Sequence, residues 1–282
     1  MAHIALAHSP LAPGRSPVLT RVRESAAAAA GSIVFLHSGW GYEIYPFDRI
    51  ALALAPRFRI IAPDRSGYGE SAPIDSLPAD FHQRAAVETV AVLDALTLRS
   101  PILWGHSDGA IIALLIALAS PGRIAGLIVE ATHFWKQKPA SRAFFDAAIA
   151  NPDALGGGAI AALERDHGAR WREVIGMHAR TWRRIGDEAA SATDDFYGGR
   201  LGDVAVPVLV VHGARDPRTE PGELAALTDT LRHRSSGRTD VLVLPDGGHS
   251  PHSERQTADA VAAAGAAFCD AAAATPTPEP RQ

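Results

Sequence analysis

The chain has 282 residues with 47% hydrophobic and 21% charged side chains, and its formal charge is −4 at pH 7. This composition is typical of a soluble globular protein with one full core, with or without an insertion. The charge excludes a basic surface for nucleic acid, and no apolar run of about 18 residues offers a membrane span. The single cysteine, Cys269, excludes an internal disulfide. We therefore expect a cytoplasmic protein without nucleic-acid or membrane partners, either monomeric or homodimeric.

Apolar strand patterns and amphipathic helix patterns alternate along the first half of the chain. Strand patterns occur at 18–23, 32–37, 57–62, 102–104 and 125–130. Helical spacing occurs at 47–54 and again from Asp80, a predicted N-cap, to about Leu98. We interpret 18–23 as an edge strand and 32–37 as a strand buried on both faces. The alternation predicts an α/β fold in which helices cover both faces of a mostly parallel sheet.

The alternation stops between residues 131 and 205, where no convincing strand pattern occurs. This interval is much longer than an ordinary crossover. Apolar residues at helical spacing between Trp171 and Ile185 indicate a helical lid inserted into the sheet. Further strands are expected at 206–212 and 241–244, and further helices at 223–232 and 253–273. The predicted divisions are a core of 1–130 and 206–274, a lid of 131–205 and a disordered tail of 275–282.

The segment Gly105-His106-Ser107-Asp108-Gly109 has the form G-x-S-x-G and lies between a strand pattern and a helix pattern. A sharp strand-to-helix turn crowds its apex, and glycines on either side relieve the crowding. The apex serine takes a strained backbone conformation that exposes its hydroxyl at the sheet edge. This pattern predicts Ser107 as a nucleophile, the alternative being an ordinary strand-to-helix turn.

A nucleophilic serine needs a base to accept its proton and an acid to orient that base. Asp216 follows the strand at 206–212, and His249 follows the strand at 241–244, so each would lie at the carboxyl edge of the sheet. We predict a catalytic triad of Ser107, His249 and Asp216. The alternatives are a turn aspartate before a proline and a surface-loop histidine. His252 is not assigned a catalytic role because it is expected in the first turn of the last helix.

The oxyanion formed during acyl transfer needs two preorganised N–H donors. The backbone amide of Asp108 is one candidate because it follows the nucleophile at a helix N-terminus. The other is expected in the loop His37-Ser38-Gly39-Trp40-Gly41, where Gly39 is the best placed.

Five motifs together resemble the α/β-hydrolase superfamily over about residues 18–270: HSGWG, APDRSGYGES, GHSDG, HGARDP and GGH. PADF at 78–81, the Trp171 and Trp182 pattern and HSPH at 249–252 resemble, more narrowly, the biphenyl-hydrolase-like group that includes valacyclovir hydrolase. The resemblance implies the α/β-hydrolase fold with a helical lid. The family usually has His-Gly where this chain has His37-Ser38, which leaves the position of the second oxyanion donor open.

Residue types exclude several other chemistries. Dehalogenases and epoxide hydrolases of this fold have aspartate at the apex, where this chain has Ser107. No H-E-x-x-H or C-x-x-C motif is present, and His249 with His252 would lack further ligands, so no metal is predicted. No G-x-G-x-x-G opens a helix after the first strand, so no dinucleotide or other cofactor is predicted.

The predicted function is hydrolysis of a small carboxylic ester through an acyl-enzyme. The alternatives are a C–C bond hydrolase of the ring-cleavage type, which usually has Met or Leu in place of Asp108, and a non-catalytic ligand-binding protein. The side chain of Asp108 either interacts with the helix dipole or, as the resemblance implies, binds the ammonium group of an α-amino-acid ester. Trp135 is expected to line the substrate pocket. Neighbouring His133 is interpreted as a hydrogen-bonded structural histidine, the alternative being that it faces the substrate.

Overall fold

The computed structural model describes residues 2–16, 18–25 and 30–274, and these residues form a sheet of eight strands. The strands in chain order are β1 Ala2–Leu6, β2 Val18–Glu24, β3 Ser32–Leu36, β4 Arg59–Pro63, β5 Ile102–His106, β6 Gly126–Glu130, β7 Val208–Gly213 and β8 Thr239–Leu244. Their order across the sheet is β1-β2-β4-β3-β5-β6-β7-β8. The β1–β2 and β2–β4 pairs are antiparallel, and the other pairs are parallel. The predicted, mostly parallel sheet is confirmed.

Helices cover both faces of this sheet. They are α1 Asp48–Leu54, α2 Phe81–Ala95, α3 Asp108–Ala119, α4 Arg142–Ala150, α5 Gly157–His167, α6 Trp171–Glu188, α7 Glu223–Arg232 and α8 Ala258–Ala273. Residues of β3 alternate between two apolar clusters. Ile33 and Phe35 pack with α1 and α8, and Val34 and Leu36 pack with α2 and α3. Burial of both faces explains why this run is continuously apolar.

The N-terminal part of the sheet differs from the prediction. The strand expected at the edge is β2, but β1 pairs outside it in antiparallel register, from Ala2 opposite Val22 to Leu6 opposite Val18. Within β1 only Leu6 is buried. A strand exposed over most of its length shows neither an apolar run nor a clear alternation, which is why its sequence did not predict it.

Two predicted helix boundaries are wrong. The last helix begins at Ala258, not near Ser253, and His252 therefore lies in a turn before it and not in its first turn. Helix α2 begins directly after Asp80, as predicted, but it ends at Ala95 and not near Leu98, and the Asp80 side chain makes no cap hydrogen bond. The Asp80 carboxylate instead pairs with Arg84 one turn further along the helix.

The segment between β6 and β7 contains α4, α5 and α6 and no strand among its residues, which are all described. The residues at helical spacing in α6 are buried as expected, including Trp171, His178 and Trp182. The division of residues 131–205 from the core as a lid stays a prediction. The tail predicted at 275–282 lies outside the described residues. Among the described helices, none combines the length and apolarity needed to cross a bilayer.

The close approach of α8 to β5 generates a testable prediction. A β-carbon on Gly265 would lie 2.2 Å from Cη2 of the fully buried Trp104 ring. We expect Gly265→Ala to lower the free energy of unfolding by about 1–3 kcal/mol, because this core cannot take an extra methyl group. The matched control is Gly186→Ala in α6, where the nearest atom would be 3.8 Å away. Urea unfolding measures both, and equal midpoints would contradict the packing.

Candidate active site

Ser107 occupies the apex of the turn between β5 and α3, with φ 54° and ψ −117°. This conformation is strained for a residue with a side chain. A β-carbon on Gly105 would lie 2.2 Å from the carbonyl oxygen of Gly109, and one on Gly109 would lie 2.0 Å from that of Leu36. Hydrogen is therefore the only side chain that fits at either flanking position, and the turn packs directly against β3.

The loops after β7 and β8 bring Asp216 and His249 to Ser107. Nδ1 of His249 donates to Oδ2 of Asp216 at 2.9 Å, and Oγ of Ser107 donates to Nε2 of His249 at 3.2 Å. The three residues are only 6–8% exposed. The structure thus places the three residues in one hydrogen-bonded chain, and their catalytic roles stay a prediction.

Electrostatics in this chain of residues favour a neutral imidazole beside an ionised carboxylate. Burial lowers the pKa of His249, the positive charge of Arg218 lowers it further, and the Asp216 carboxylate opposes both effects without cancelling them. Burial raises the pKa of Asp216, but the charge and hydrogen bond of His249 and the amide of Arg218 outweigh it and hold this pKa well below its usual value. His249 is therefore a free base near neutral pH.

The loop after β3 presents Gly39 beside the turn. Nη2 of Arg65 donates to the carbonyl oxygen of Ser38 at 2.7 Å. Because the C=O and N–H of a trans peptide point in opposite directions, the N–H of Gly39 points away from Arg65. A β-carbon on Gly39 would lie 1.9 Å from Nε2 of His178 and 2.5 Å from Oδ2 of Asp108. This close approach requires glycine, and its role in an oxyanion hole stays a prediction.

The Asp108 carboxylate is fully buried and accepts three hydrogen bonds from the protein. Oδ1 accepts from His82 Nε2 at 2.9 Å and from Trp182 Nε1 at 3.1 Å, and Oδ2 accepts from His178 Nε2 at 2.8 Å. Burial raises its pKa, but the two histidines outweigh this effect and hold the pKa well below its usual value. Asp108 therefore connects the turn to α2 and α6.

Sequence analysis did not identify His82 and His178 as partners of Asp108. The available signal was the spacing of His178 and Trp182, which lie four residues apart and share one face of α6. His82 offered no comparable signal, since its partner lies 26 residues away on another helix.

His133, and not Trp135, lies against His249. The His133 and His249 rings are stacked at 5.9 Å with an angle of 17° between their planes. The buried Nδ1 of His133 has no hydrogen-bond partner among the described residues, so this nitrogen does not support the interpretation of His133 as a hydrogen-bonded structural histidine. The Trp135 ring is partly buried and lies beside Gly222, at the start of α7. The predicted contact of Trp135 with substrate remains untested.

A second buried network lies behind His249. Glu130 Oε1 accepts from the backbone N–H and from Nδ1 of His252, each at 2.8 Å, and His106 Nε2 donates to the His249 carbonyl oxygen at 2.8 Å. His106, Glu130 and His252 are close enough together to hold a metal ion. Hydrogen bonds to the protein already engage one ligand atom of each, so the arrangement fits a support for the His249 loop.

A mostly parallel sheet with a serine at a strand-to-helix apex, and an aspartate and a histidine after later strands, is the arrangement of α/β-hydrolase-type proteins. A sequence model of the alpha/beta hydrolase family matches residues 33–264, and the chain belongs to that family. The expected membership and fold are confirmed.

Individual relatives agree with this membership. The chain is 28% identical to mouse "Serine hydrolase BPHL" over 198 residues, which are 70% of this chain and 65% of that protein, slightly under two thirds of its length. It is 30% identical to "Putative carbamate hydrolase RutD" of Variovorax paradoxus over 258 residues, covering 82% of this chain and 89% of that one. An esterase structure from Thermogutta terrifontis superposes with a TM-score of 0.67 at 21% identity, covering 96% and 99% of the two chains, and shows the shared fold.

The buried Asp108 cluster leads to a stability prediction. We expect Asp108→Asn to lower the free energy of unfolding by about 2–4 kcal/mol, because an amide group would face donors that now bond a carboxylate. The control is Asp153→Asn, which removes an exposed ion pair with Arg172 and should lower the free energy of unfolding far less, because solvent screens an exposed pair. Urea unfolding measures both, and a cost at Asp108 no larger than at Asp153 would contradict the contribution assigned to the cluster.

Proposed function

We propose that the chain is a serine hydrolase that cleaves a small carboxylic ester through Ser107, His249 and Asp216. The observation that carries this proposal is the unbroken hydrogen-bonded chain from Asp216 through His249 to the Ser107 hydroxyl at a strained apex. Each of its parts matches the requirement for an activated serine nucleophile.

The geometry supports a two-step reaction. The Ser107 oxygen attacks the ester carbonyl while its proton passes to Nε2 of His249, and Asp216 stabilises the resulting imidazolium. The amides of Asp108 and Gly39 are the proposed donors to the tetrahedral oxyanion. His249 then protonates the departing alcohol. Water, activated by the same histidine, attacks the acyl-enzyme and releases the acid and free Ser107.

The alternatives gain less support from the site. A ligand-binding protein would have no need of an ordered, hydrogen-bonded triad at a strained turn. The relatives are named as a serine hydrolase, a putative carbamate hydrolase and a pimeloyl-[acyl-carrier protein] methyl ester esterase. These names support cleavage of an ester or a similar acyl bond rather than a C–C bond.

The narrower substrate, an α-amino-acid ester bound by Asp108, is the part of the proposal that the geometry supports least. The carboxylate is fully buried and already accepts hydrogen bonds from His82, His178 and Trp182. An ammonium group could approach it only beside these donors. A preference for an amino ester over its des-amino analogue that disappears in Asp108→Asn would support the narrower assignment.

Substitution of the nucleophile tests the proposed function. We expect Ser107→Ala to lose about 10³-fold or more of kcat/KM against a panel of p-nitrophenyl esters, because the remaining site has no group to form the acyl-enzyme. Ser120→Ala, at the other end of α3, is the matched control and should retain wild-type rates. Equal rates for the wild type and Ser107→Ala would contradict the assignment of ester hydrolysis to Ser107.

The environment of His249 predicts the pH dependence. Its pKa is lowered from 6.5 by burial and by Arg218, so the neutral base persists to a lower pH than an ordinary histidine would. We expect the acid limb of kcat/KM for an uncharged ester to have its midpoint below pH 6.5. A pH–rate profile at constant ionic strength measures it, and a midpoint above that value would contradict the assigned environment.

A further inference from the structure

Arg218 lies where three parts of the site meet. It follows Asp216 by two residues, and its backbone N–H donates to Asp216 Oδ1 at 2.9 Å. Its guanidinium carbon lies 4.0 Å from the centre of the Phe144 ring on α4 and 5.7 Å from that of the Trp40 ring, in the loop that contains Gly39. The side chain thus extends from the loop of the acid to the predicted lid and to the predicted oxyanion loop.

The guanidinium has aromatic neighbours but no carboxylate within ion-pair distance among residues 2–16, 18–25 and 30–274. Arg215, in the same loop, instead pairs with Asp246. Contacts with ring faces leave the in-plane N–H groups of a guanidinium free to donate, and two of them match the spacing of carboxylate oxygens.

The charge of Arg218 also acts on the reaction. It lowers the pKa of His249 and therefore opposes the imidazolium that His249 must become when it accepts the serine proton. A substrate that brought a negative charge to the guanidinium would weaken this opposition at the step where the imidazolium forms. An uncharged substrate would leave the opposition of the Arg218 charge to the imidazolium unchanged.

We propose that Arg218 binds a carboxylate carried by the substrate, so that the preferred ester is an anionic one. This inference rests on the proposed function and adds a specificity-determining residue to it. Arg218 is suited to the role because its guanidinium combines a position beside the stacked rings of Trp40 and Phe144 with donors that no described carboxylate uses. The carboxylate belongs either to the acyl chain or to the alcohol, and recognition by a guanidinium is the same in both cases.

Two pairs of esters test the proposal on the whole protein. Monomethyl glutarate and its uncharged carbamoyl analogue place the charge on the acyl side, and O-acetylglycolate and O-acetylglycolamide place it on the alcohol side. In the wild type we expect kcat/KM to favour the anionic member of one pair by about ten- to hundredfold, the range of a charge-assisted hydrogen bond. The preferred pair identifies the side that carries the carboxylate.

Arg218→Gln should abolish this preference, and Arg218→Lys should restore only part of it because a lysine lacks the planar pair of donors. Arg215→Gln, which removes a charge from the same loop, is the matched control and should keep the wild-type preference. Absence of a preference in both pairs, or its survival in Arg218→Gln, would overturn the inference. Loss of Ser107 dependence would instead overturn the proposed function.

A second readout uses an uncharged ester. Removal of the Arg218 charge should move the acid limb of kcat/KM to higher pH, because that charge lowers the pKa of His249. The charged and titratable groups that otherwise face His249 in the described chain stay in place, namely Asp216, Glu130, Tyr45, His106, His133 and His212. An acid limb that does not move in Arg218→Gln would show that the guanidinium does not act on His249.

Discussion

The strained backbone of Ser107 is the constraint on which the arrangement of the site depends. A positive φ in a residue with a side chain costs free energy of order 1–3 kcal/mol, and it persists only when the surroundings allow no alternative. Here Gly105 and Gly109 bring the turn so close to β3 and α3 that the chain has no room to relax. Rigid packing of the core therefore fixes the position of Ser107.

Asp108 extends this constraint beyond the turn. Its carboxylate accepts hydrogen bonds from α2 and from α6, so Asp108 links the sheet core to the segment predicted as a lid. Gly39 passes so close to Asp108 and His178 that it could carry no side chain. The positions of the predicted lid, the oxyanion loop and the turn are consequently coupled through one buried carboxylate.

Patterns that repeat within one element were predictable, and contacts between distant elements were not. The apolar runs of β3 to β7 and the buried face of α6 follow from periodicity, since burial is nearly continuous along these strands and regular along the helix. The exposed β1 leaves no such pattern. Chain order and strand-end position anticipated the placement of Asp216 and His249, whereas the stacking of His133 on His249 depends on loop geometry that sequence spacing does not encode.

Asp108 and Arg218 differ in what the protein already supplies to them. Asp108 has hydrogen-bond donors on both oxygens, so the protein itself stabilises its charge. Arg218 has aromatic faces beside its guanidinium and no carboxylate within ion-pair distance in the described chain, and its charge acts on His249. The positive charge of Arg218 raises the free energy of the imidazolium that His249 must form. An anionic ligand bound to Arg218 would remove this effect. This difference between Asp108 and Arg218 distinguishes the expectation of a cationic substrate from that of an anionic one. A cationic substrate would have to compete with the protein's own donors for the Asp108 carboxylate. An anionic substrate would instead pair with the Arg218 guanidinium, which has no carboxylate partner in the described chain.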